Sequence, residues 1–487
     1  MQPVGIITVL FFAVPFMVIV INTLLPRHAA EKTCLYMAGA VAVIQIVASV
    51  ADFFFIASSG NDAYEFALLW NLKNEGAERL SVDSLSLVIL FCIGMVALIS
   101  VLVANRTIEN KRTIFVDLLM TLLLGMNGML VVTDLFSLYV FMEIIGLSSF
   151  VLIAMFKTEE GLEGAFKYLI MSVLAGVFIL TGLSFIFMHT GSLLFRDVSS
   201  GILNGLSGSQ SVPVYAAFIL LIAGFSIKTG AVPFHSWLPD AHQSANTAVS
   251  ILLSGIVIKV AGVYGLIVVT RLFSEIPAVR ITLAVMGIVS IITGALFALK
   301  QDHFKRIAAY SSVSQMGYIL LGLSTGSTLG LLGAVVHIFN HATFKSTFFS
   351  NAAALHEQVG TLDINKMGGL QSRMPVTGFS SIAAFMSTAG IPPFAGFWSK
   401  LLIIMSLWDS GFEVAAGIAL FSSIFTAAYF LRLQRKVFFG KLPEKFREIR
   451  EVGGSIKFAE ILLTCVNIAT GVAFPLALIY LKGRGIV

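Results

Sequence analysis

Three residues with proton-exchanging side chains follow one another at intervals of four in the stretch HIFNHATFK. They are His337, His341 and Lys345, and in an α-helix this spacing places all three on one face. Imidazole titrates near neutral pH, so the pattern favours proton transfer along a helix. A polar stripe that only forms hydrogen bonds between helices is one alternative, and a zinc site on the two histidines is another. Zinc is disfavoured because no cysteine or carboxylate stands close by and the lysine would repel a cation.

Four further ionisable residues lie inside long apolar stretches of the sequence. They are Glu143 in YVFMEIIGLSSF, Lys228 in GFSIKTGAVPFH, Lys259 in SGIVIKVAGVYG and Lys400 in PPFAGFWSK. A charge at the centre of a bilayer costs roughly 2.5–3.5 kcal/mol on insertion scales, which favours a functional role over an incidental one. The alternative is that these charges only pair with neighbours and hold helices together.

Together these residues predict a proton relay. A carboxylate beside a lysine that has lost its water favours the charged amine, so Glu143 near Lys228 would hold that lysine charged. Moving the carboxylate or its field away would let the proton pass to Lys259, and His337 could then carry it to Lys400. Sodium coordination is less well supported, because hard cations require several oxygen ligands and the buried ionisable groups are mostly basic.

The composition predicts a protein that lies in a membrane. Of the 487 residues, 57% are apolar and 12% are charged, and the mean hydropathy is +0.94. An ordinary soluble domain carries about a quarter of its residues as charged side chains, so this chain could not cover the surface of a soluble globule. The net charge of +5 is therefore interpreted as a sign of membrane topology and not of nucleic-acid binding.

Apolar segments of about 20 residues, the length that crosses a bilayer, predict a polytopic all-α protein with fourteen spans. The spans are expected near residues 4–25, 34–57, 81–103, 114–132, 135–156, 165–189, 213–243, 248–270, 279–299, 304–325, 329–355, 376–410, 412–433 and 456–481. Two of them, 213–243 and 376–410, are too long for a simple crossing and contain helix breakers such as Pro233 and Pro392. Breakers are tolerated in a membrane only where protein or water satisfies the freed backbone groups. The seventh and twelfth helices are therefore predicted to be discontinuous.

The two interrupted helices occupy corresponding positions in two sets of five helices. Each is the fourth helix of its set, in residues 114–270 and residues 279–433. Because five is odd, the second set must enter the membrane from the opposite side. This arrangement predicts two inverted repeats within a single membrane domain of residues 1–487.

Lysine and arginine are unevenly divided between the two sides of the predicted bundle. Most of them, including Lys305 and those of the basic segment 434–456, fall in loops on one side. Few, among them Lys73 and Arg484, fall on the other side. The positive-inside rule then predicts that both termini lie outside. The segment 434–456 is predicted to be a cytoplasmic connection, with a surface helix as one option.

Several stretches resemble a known family of membrane subunits. The resemblance rests on the blocks KTGAVPFHSWLPDAHQSANTAVS, DHFKRIAAYSSVSQMGYILLG, HIFNHATFKSTFF and STAGIPPFAGFWSK. These are similar to the proton-conducting antiporter-like subunits of respiratory complex I, of membrane-bound hydrogenases and formate hydrogenlyases, and of Mrp cation/proton antiporters. The resemblance implies fourteen helices, two inverted five-helix repeats and discontinuous helices seven and twelve. The family's ionisable positions fall on Glu143, Lys228, Lys259, His337 and Lys400, with His341 and Lys345 at accompanying positions. One departure is Asn246 and Ala248, where the family often has prolines.

The resemblance implies a proton-translocating subunit of a redox-driven assembly related to complex I, of dehydrogenase or hydrogenase type. Its partners would be antiporter-like paralogues and a redox-bearing peripheral arm, in the cytoplasmic membrane of a bacterium or archaeon. An Mrp-type Na⁺/H⁺ antiporter subunit is the main alternative and uses the same residues without redox chemistry. A structural spacer and a transporter of organic solutes are further alternatives with less support.

The sequence offers no recognisable site for a cofactor. Cys34, Cys92 and Cys465 lie in separate apolar stretches, and neither a GxGxxG nor a CxxC motif is present. Iron–sulfur clusters and structural zinc need sets of closely spaced ligands. We therefore expect no cofactor, no metal ligand and no redox centre in this chain, so that any redox reaction would belong to partner chains.

Overall fold

The computed structural model describes residues 3–59, 63–67, 79–205 and 211–483 of the chain. In these ranges nearly all residues are helical, which fits the apolar composition because a helix satisfies its backbone hydrogen bonds internally. In chain order the helices are α1 (Pro3–Leu24), α2 (Arg27–Ser59), α3 (Ser84–Thr107), α4 (Arg112–Val131), α5 (Leu135–Ala154), α6 (Glu159–Thr190), α7 (Phe195–Gly205), α8 (Ser211–Thr229), α9 (Trp237–Ser244), α10 (Thr247–Leu252), α11 (Gly265–Leu272), α12 (Pro277–Lys300), α13 (Phe304–Ser324), α14 (Thr328–Val359), α15 (Pro375–Ala389), α16 (Ala395–Asp409), α17 (Glu413–Val437) and α18 (Gly454–Gly483). Two short strands, β1 (Ala63–Ala67) and β2 (Arg79–Asp83), pair antiparallel. Lys73 and Arg484, which contribute to the predicted orientation, lie outside the described residues.

The chain divides into two compact units. The first comprises Met1–Val101, Ile108–Thr229 and Ile256–Ile276. The second comprises Leu102–Thr107, Gly230–Gly255 and Pro277–Val487. The first unit therefore contains α1, α2 and α4 to α8 with α11 and most of α3, and the second contains α9, α10 and α12 to α18.

In the first unit, α6 packs against α5 and α8, and α4 packs against α1 and α5. The helix that connects α10 to α11 contains π-helical turns at Leu253–Val257 and Lys259–Tyr264. Gly262 permits a close approach of the second of these turns to α8, because a Cβ atom there would lie 2.3 Å from Thr229 Oγ1. π-Helical turns are rare and often occur at functional sites. This one holds Lys259 in the interior of the unit.

In the second unit, α13 packs against α12 and α14, and α14 also packs against α15, α16 and α18. The α12 and α13 backbones lie close together, since a Cβ atom on Gly294 would be 2.5 Å from the Ser314 nitrogen. Ile291, Tyr318 and Ile403 belong to an apolar cluster between α12, α13 and α16. Beyond this cluster α13 and α14 bury many polar side chains, and these form the site described below.

The predicted interruptions of the seventh and twelfth spans are confirmed. α8 ends at Thr229 and the next helix begins at Trp237, whereas α15 ends at Ala389 and α16 begins at Ala395. Gly390 closes α15 in a left-handed conformation with φ of +81°. Glycine is the usual residue at this position because it has no Cβ atom to clash.

Ten helices in the described ranges are long and apolar enough to cross a membrane. α13 and α14 are also long enough, at 21 and 32 residues, but they carry many polar side chains. α15 and α16 have 15 residues each because they are the two halves of an interrupted segment. The chain is a helical membrane protein, and fourteen spans remain the predicted number.

The assignment of Lys305 to a cytoplasmic loop is wrong. Lys305 lies in the first turn of α13 and is buried. Its amine donates a 2.7 Å hydrogen bond to the carbonyl of Ala245, directly after α9. The last carbonyls of a helix have no partner within the helix and attract a positive charge. The basic segment 434–456 contains only the end of α17, a 3₁₀ turn at Glu444–Phe446 and the start of α18, so it has no surface α-helix.

The departure at Asn246 and Ala248 has a local explanation. The Asn246 side chain accepts a 3.0 Å hydrogen bond from the Ala248 backbone N–H at the start of α10. A proline at position 248 would have no N–H group to donate. Capping by asparagine therefore begins this helix instead.

Candidate functional site

Glu143 and Lys228 lie side by side in the first unit. Lys228 is buried near the end of α8, and its Nζ atom is 3.7 Å from Glu143 Oε1 on α5. The amine also donates a 2.5 Å hydrogen bond to the Ser172 hydroxyl on α6. Two glycines leave room for this group, because a Cβ atom on Gly146 would lie 3.0 Å from Lys228 Nζ and one on Gly176 would lie 2.8 Å from Glu143 Oε1. Three helices thus surround an ion pair between the buried Lys228 amine and the partly exposed Glu143 carboxylate.

Lys259 belongs to the same unit and is fully buried. It begins the π-helical turn Lys259–Tyr264, which packs against α4, α5 and α8. At the other end of the turn, the Tyr264 hydroxyl donates a 3.3 Å hydrogen bond to the Leu130 carbonyl on α4. Lys259 is therefore held away from solvent on a π-helical segment whose other end is bonded to α4.

His337 lies on α14 in the second unit and shares a hydrogen bond with a serine of α16. His337 Nδ1 is 2.9 Å from the Ser399 hydroxyl oxygen on α16. That hydroxyl donates to the Gly396 carbonyl at 3.1 Å and accepts from the Asn340 amide at 3.0 Å. If the single hydroxyl hydrogen is donated to Gly396, Nδ1 is the donor in the third contact. In that tautomer, Nε2 is the nitrogen that can gain a proton.

His341 and Lys345 continue the same face of α14. Lys345 is fully buried, and its amine donates to the Ala308 carbonyl at 2.6 Å and to the Ser311 hydroxyl, both on α13. The His341 ring lies 5.2 Å from the Phe344 ring, centre to centre. This part of the row therefore places an amine and an imidazole beside an aromatic ring.

Lys400 is held where the twelfth span is interrupted. It is buried in α16, and its amine lies 4.4 Å from the centre of the Tyr318 ring on α13. The amine also donates to the Ser423 hydroxyl at 3.3 Å and to the Ala389 carbonyl, the last of α15, at 3.5 Å. A cation is stabilised both by an aromatic face and by the carbonyl end of a helix.

Tyr318 lies close both to Lys400 and to the histidine row, which is the face of α14 formed by His337, His341 and Lys345. The centre of its ring is 5.8 Å from the centre of the His337 ring and 4.4 Å from the Lys400 amine. Its hydroxyl donates to the Ala419 carbonyl at 2.7 Å and lies 3.1 Å from the Ser423 oxygen. Among the residues predicted from the sequence, His337, His341, Lys345 and Lys400 therefore form one cluster in the second unit. Glu143, Lys228 and Lys259 belong to the first.

The sequence did not predict the uncharged partners Ser172, Tyr318, Ser399 and Ser423. Hydroxyl groups are common in membrane helices and cost little to insert, so they give no strong signal in a single sequence. Tyr318 stands in the recognised block SVSQMGYILLG, and this block was the one available indication.

Several buried polar atoms near the histidine row have no hydrogen-bond partner in the described part of the chain. The Ser346 and Ser350 hydroxyls of α14 are among them. Ser346 directly follows Lys345, and Ser350 lies one turn further along the helix. Buried polar groups of this kind are generally satisfied by water. The cluster can therefore form a path in which side chains and water exchange protons.

The described residues give little support to a metal site. Within the described ranges, histidine, cysteine, aspartate and glutamate form no group of three or more that could hold a metal ion. His337 and His341 on their own provide two of the usual four ligands of zinc. The chemistry that the cluster itself offers is proton exchange.

The interrupted helices and buried ionisable side chains define a multi-pass helical membrane protein with charged groups in its interior. The chain belongs to the family described as NADH:quinone oxidoreductase/Mrp antiporter, transmembrane, which it matches over residues 132–426. The resemblance stated from the sequence is thereby confirmed, and the match includes every candidate site residue.

Relatives of both branches of this family are found. NADH-quinone oxidoreductase subunit N of Desulforudis audaxviator (strain MP104C) is 34% identical over 66% of this chain and 64% of that protein. A Na(+)/H(+) antiporter subunit of Alkalihalophilus pseudofirmus is 28% identical over 81% of this chain and 80% of that protein. A chain in the structure of the Mrp complex from Dietzia sp. DQ12-45-1b shares the fold, with a TM-score of 0.88 at 24% identity over 98% of this chain and 96% of that one. The relatives are subunits of membrane assemblies.

Proposed function

We propose that this chain is the proton-translocating, antiporter-like subunit of a redox-driven membrane complex related to complex I. The observation that carries the proposal is the ion pair between the buried Lys228 and the half-buried Glu143, 3.7 Å apart between membrane helices. Such a pair is costly to bury and is sensitive to its own proton occupancy. The 34% identity to a subunit of an NADH-quinone oxidoreductase supports the redox-driven branch.

In the first unit, the mechanism begins with the charge state of Lys228. With Glu143 ionised beside it, the Lys228 ammonium is stabilised by the carboxylate and by the Ser172 hydroxyl. A change in the field at Glu143 removes part of that stabilisation. The proton then leaves Lys228 for Lys259, the next buried amine in the same unit. Each ionised lysine repels the next, so the occupancy of one site biases its neighbour.

In the second unit, the proton passes along α14 and ends at Lys400. His337 accepts it on Nε2 while Nδ1 stays bonded to Ser399. Lys400 receives it beside the Tyr318 ring, and Ser423 offers the next hydrogen-bonding group. His341, Lys345 and the unpartnered buried hydroxyls extend the path. Moving one charge through ~180 mV requires about 4 kcal/mol, a scale that displacing a buried ion pair can supply.

The topology that goes with this function has fourteen spans, both termini outside and inverted repeats over residues 114–270 and 279–433. The whole chain, residues 1–487, then forms one membrane domain, and the basic segment 434–456 is its cytoplasmic connection. The partners are antiporter-like paralogues and a redox-bearing peripheral arm. This chain contributes no cofactor, so electrons pass only through the partner chains.

The test replaces Lys259 by Met in the assembled complex, in vesicles of the host's own membrane. Methionine keeps the length of the side chain and removes the exchangeable proton. We expect coupled proton transport to fall at least about tenfold, with assembly unchanged. Lys167→Met is the matched control, because Lys167 is exposed and pairs with Glu163 on the same helix. Wild-type pumping by the Lys259 variant would remove this residue from the mechanism.

An Mrp-type Na⁺/H⁺ antiporter subunit is the second candidate. It is supported by the relative from Alkalihalophilus pseudofirmus, which this chain matches over 80% of that protein's length. The two functions differ in what drives the proton. Co-purifying redox subunits together with proton transport that starts on addition of their electron donor favour the first. Proton movement that follows a Na⁺ pulse, without any redox subunit, favours the second.

A further inference from the structure

A buried carboxyl group that the mechanism above does not use lies on α18. Glu460 is fully buried, and α18 packs against α14, α15 and α16. Glu460 Oε1 lies 2.7 Å from the Asn351 amide nitrogen on α14, and Oε2 lies 3.0 Å from the Thr377 hydroxyl oxygen on α15. No lysine or arginine in the described part of the chain forms an ion pair with it.

The Thr377 hydroxyl also touches a second glutamate. Its oxygen is 2.8 Å from Glu451 Oε1, in the connection that precedes α18. Glu451 is half-buried and accepts backbone N–H groups from Val376 at 2.6 Å and from Val452 at 3.2 Å. Val376 stands in the first turn of α15, where a helix attracts negative charge. Glu451 thus acts as an acceptor in both backbone contacts.

The single hydrogen of the Thr377 hydroxyl bears on whether Glu460 is protonated. The Thr377 hydroxyl has one hydrogen, and it lies between two carboxyl oxygens. If that hydrogen is donated to Glu451, the contact with Glu460 requires a hydrogen from Glu460 itself. A neutral Glu460 satisfies every contact, since Oε2 donates to Thr377 and Oε1 accepts from Asn351. Two ionised carboxylates on one hydroxyl, with no cation beside them, would repel each other.

We propose that Glu451, Thr377 and Glu460 form a proton-binding site that loads the α14 row from the connection before α18. The inference rests on the proposed function, because it assigns the side from which the row is filled. The groups that face Glu460 are Asn351 from α14, Thr377 from α15 and Glu451 from the connection.

One cycle moves one proton and conserves charge. Glu460 gives up its carboxyl proton to the α14 row, in which the neutral amine of Lys345 is the final acceptor, and Glu460 becomes a carboxylate. Glu451, which solvent reaches, takes up a proton and passes it to the Thr377 oxygen, while the Thr377 hydrogen moves to Glu460. Beyond Asn351, the Ser350 and Ser346 hydroxyls of α14 are buried without a partner among the described residues and lie one turn apart. They lead back to Lys345.

The first measurement is infrared spectroscopy of the assembled complex at pH 7, comparing the wild type with Glu460→Gln. Glutamine can donate to Thr377 and accept from Asn351, so the variant should assemble. We expect the wild type to show a protonated carboxyl band that shifts in D₂O and is missing from Glu460→Gln. Identical spectra in the carboxyl region would overturn the proposal.

The second measurement is coupled proton transport in the same preparations. Glu460→Gln and Thr377→Val should each lower the rate at least about tenfold, as expected for loss of a proton-transfer group. Thr464→Val is the matched control, because the Thr464 hydroxyl bonds only to the Glu460 backbone carbonyl one turn earlier. Normal transport by both test variants would also overturn the proposal. If Glu460→Gln does not assemble, the infrared test uses Thr377→Val. This variant should shift the Glu460 carboxyl band without removing it, and an unshifted band would overturn the proposal.

The two hypotheses fail separately. A carboxyl band together with undiminished transport by Lys259→Met would contradict the proposed relay and leave the shared-proton site in place. Identical infrared spectra together with a transport defect in Lys259→Met would contradict the site and leave the relay in place.

Discussion

The amine of Lys400 lies over the ring of Tyr318, 4.4 Å from its centre. Both residues also contact Ser423, the lysine through its amine and the tyrosine through its hydroxyl. An aromatic face stabilises a cation without offering it a base, so the Tyr318 ring favours the protonated form of Lys400 while leaving its proton exchangeable. If the proposed relay is correct, Tyr318 therefore influences how readily Lys400 holds a proton.

Two substitutions at position 318 separate the ring from the hydroxyl. Tyr318→Phe keeps the aromatic face and loses the hydrogen bond to Ala419, which should cost about 1 kcal/mol of stability. Tyr318→Leu loses the ring as well and should cost a further ~1–2 kcal/mol. We expect proton transport to fall only slightly in the first variant and strongly in the second. Thermal unfolding in detergent and vesicle transport measure the two effects, and equal transport in both variants would contradict the role of the ring.

Gly176 predicts a test of the Glu143–Lys228 pair that changes neither charged residue. In Gly176→Ala, the new Cβ atom would lie 2.8 Å from Glu143 Oε1. The carboxylate must move, and the ion pair should lengthen. We expect a fall of several-fold in coupled proton transport, with little loss of stability because alanine favours a helix.

Gly417→Ala on α17 is the matched control for this variant. A Cβ atom there would meet no atom within 4 Å. Gly417→Ala raises the helix propensity as Gly176→Ala does, but its methyl group touches no ionisable group. Proton transport should therefore stay at the wild-type rate. Equal rates in the two alanine variants would show that the position of the Glu143 carboxylate does not matter.

The features that sequence predicts best here are those with a large local cost. Glycine and proline that occur together within one apolar span favour a break in the helix, so the breaks after Thr229 and Ala389 were predictable. An amine or carboxylate in an apolar span is expensive, which is why Glu143 and Lys228 stood out before their contact was known. The four-residue spacing on α14 likewise placed His337, His341 and Lys345 on one face.

The rest depends on contacts between helices that are far apart in the sequence. Ser399 belongs to the candidate site because it contacts His337, 62 positions earlier in the chain. Nothing about an isolated serine in the sequence indicates this contact. Lys305 follows a polar loop, and its burial depends on the Ala245 carbonyl, 60 positions earlier. Glu460 stands near the start of the last apolar span, where a lone carboxylate resembles a helix-end residue. Such assignments need the tertiary structure.

His303, in the loop between α12 and α13, predicts how stability depends on pH. Burial, together with the charges of Lys305 and Arg306, lowers the pKa of His303 from 6.5 to about 4. The unfolded chain therefore binds a proton at a higher pH than the folded one, so stability is full above pH 6.5 and falls as pH drops toward 4. The total loss should be about 3 kcal/mol, of which about 2 kcal/mol is reached at pH 5. His303→Gln should flatten this part of the profile in thermal unfolding at pH 7.5 and pH 5, and parallel profiles would contradict the assignment.

Gly390 and Gly411 form a matched pair for testing the position of Lys400. Both have a left-handed backbone, with φ of +81° and +79°, so alanine at either position should cost about 1–2 kcal/mol of stability. At Gly390 the new Cβ atom would also lie 2.9 Å from Lys400 Cδ, whereas at Gly411 it would meet nothing within 4 Å. We therefore expect equal losses of thermal stability, with a fall in proton transport only in Gly390→Ala. Transport that fell equally in both variants would mean that backbone strain, and not the place of the lysine amine, limits the rate.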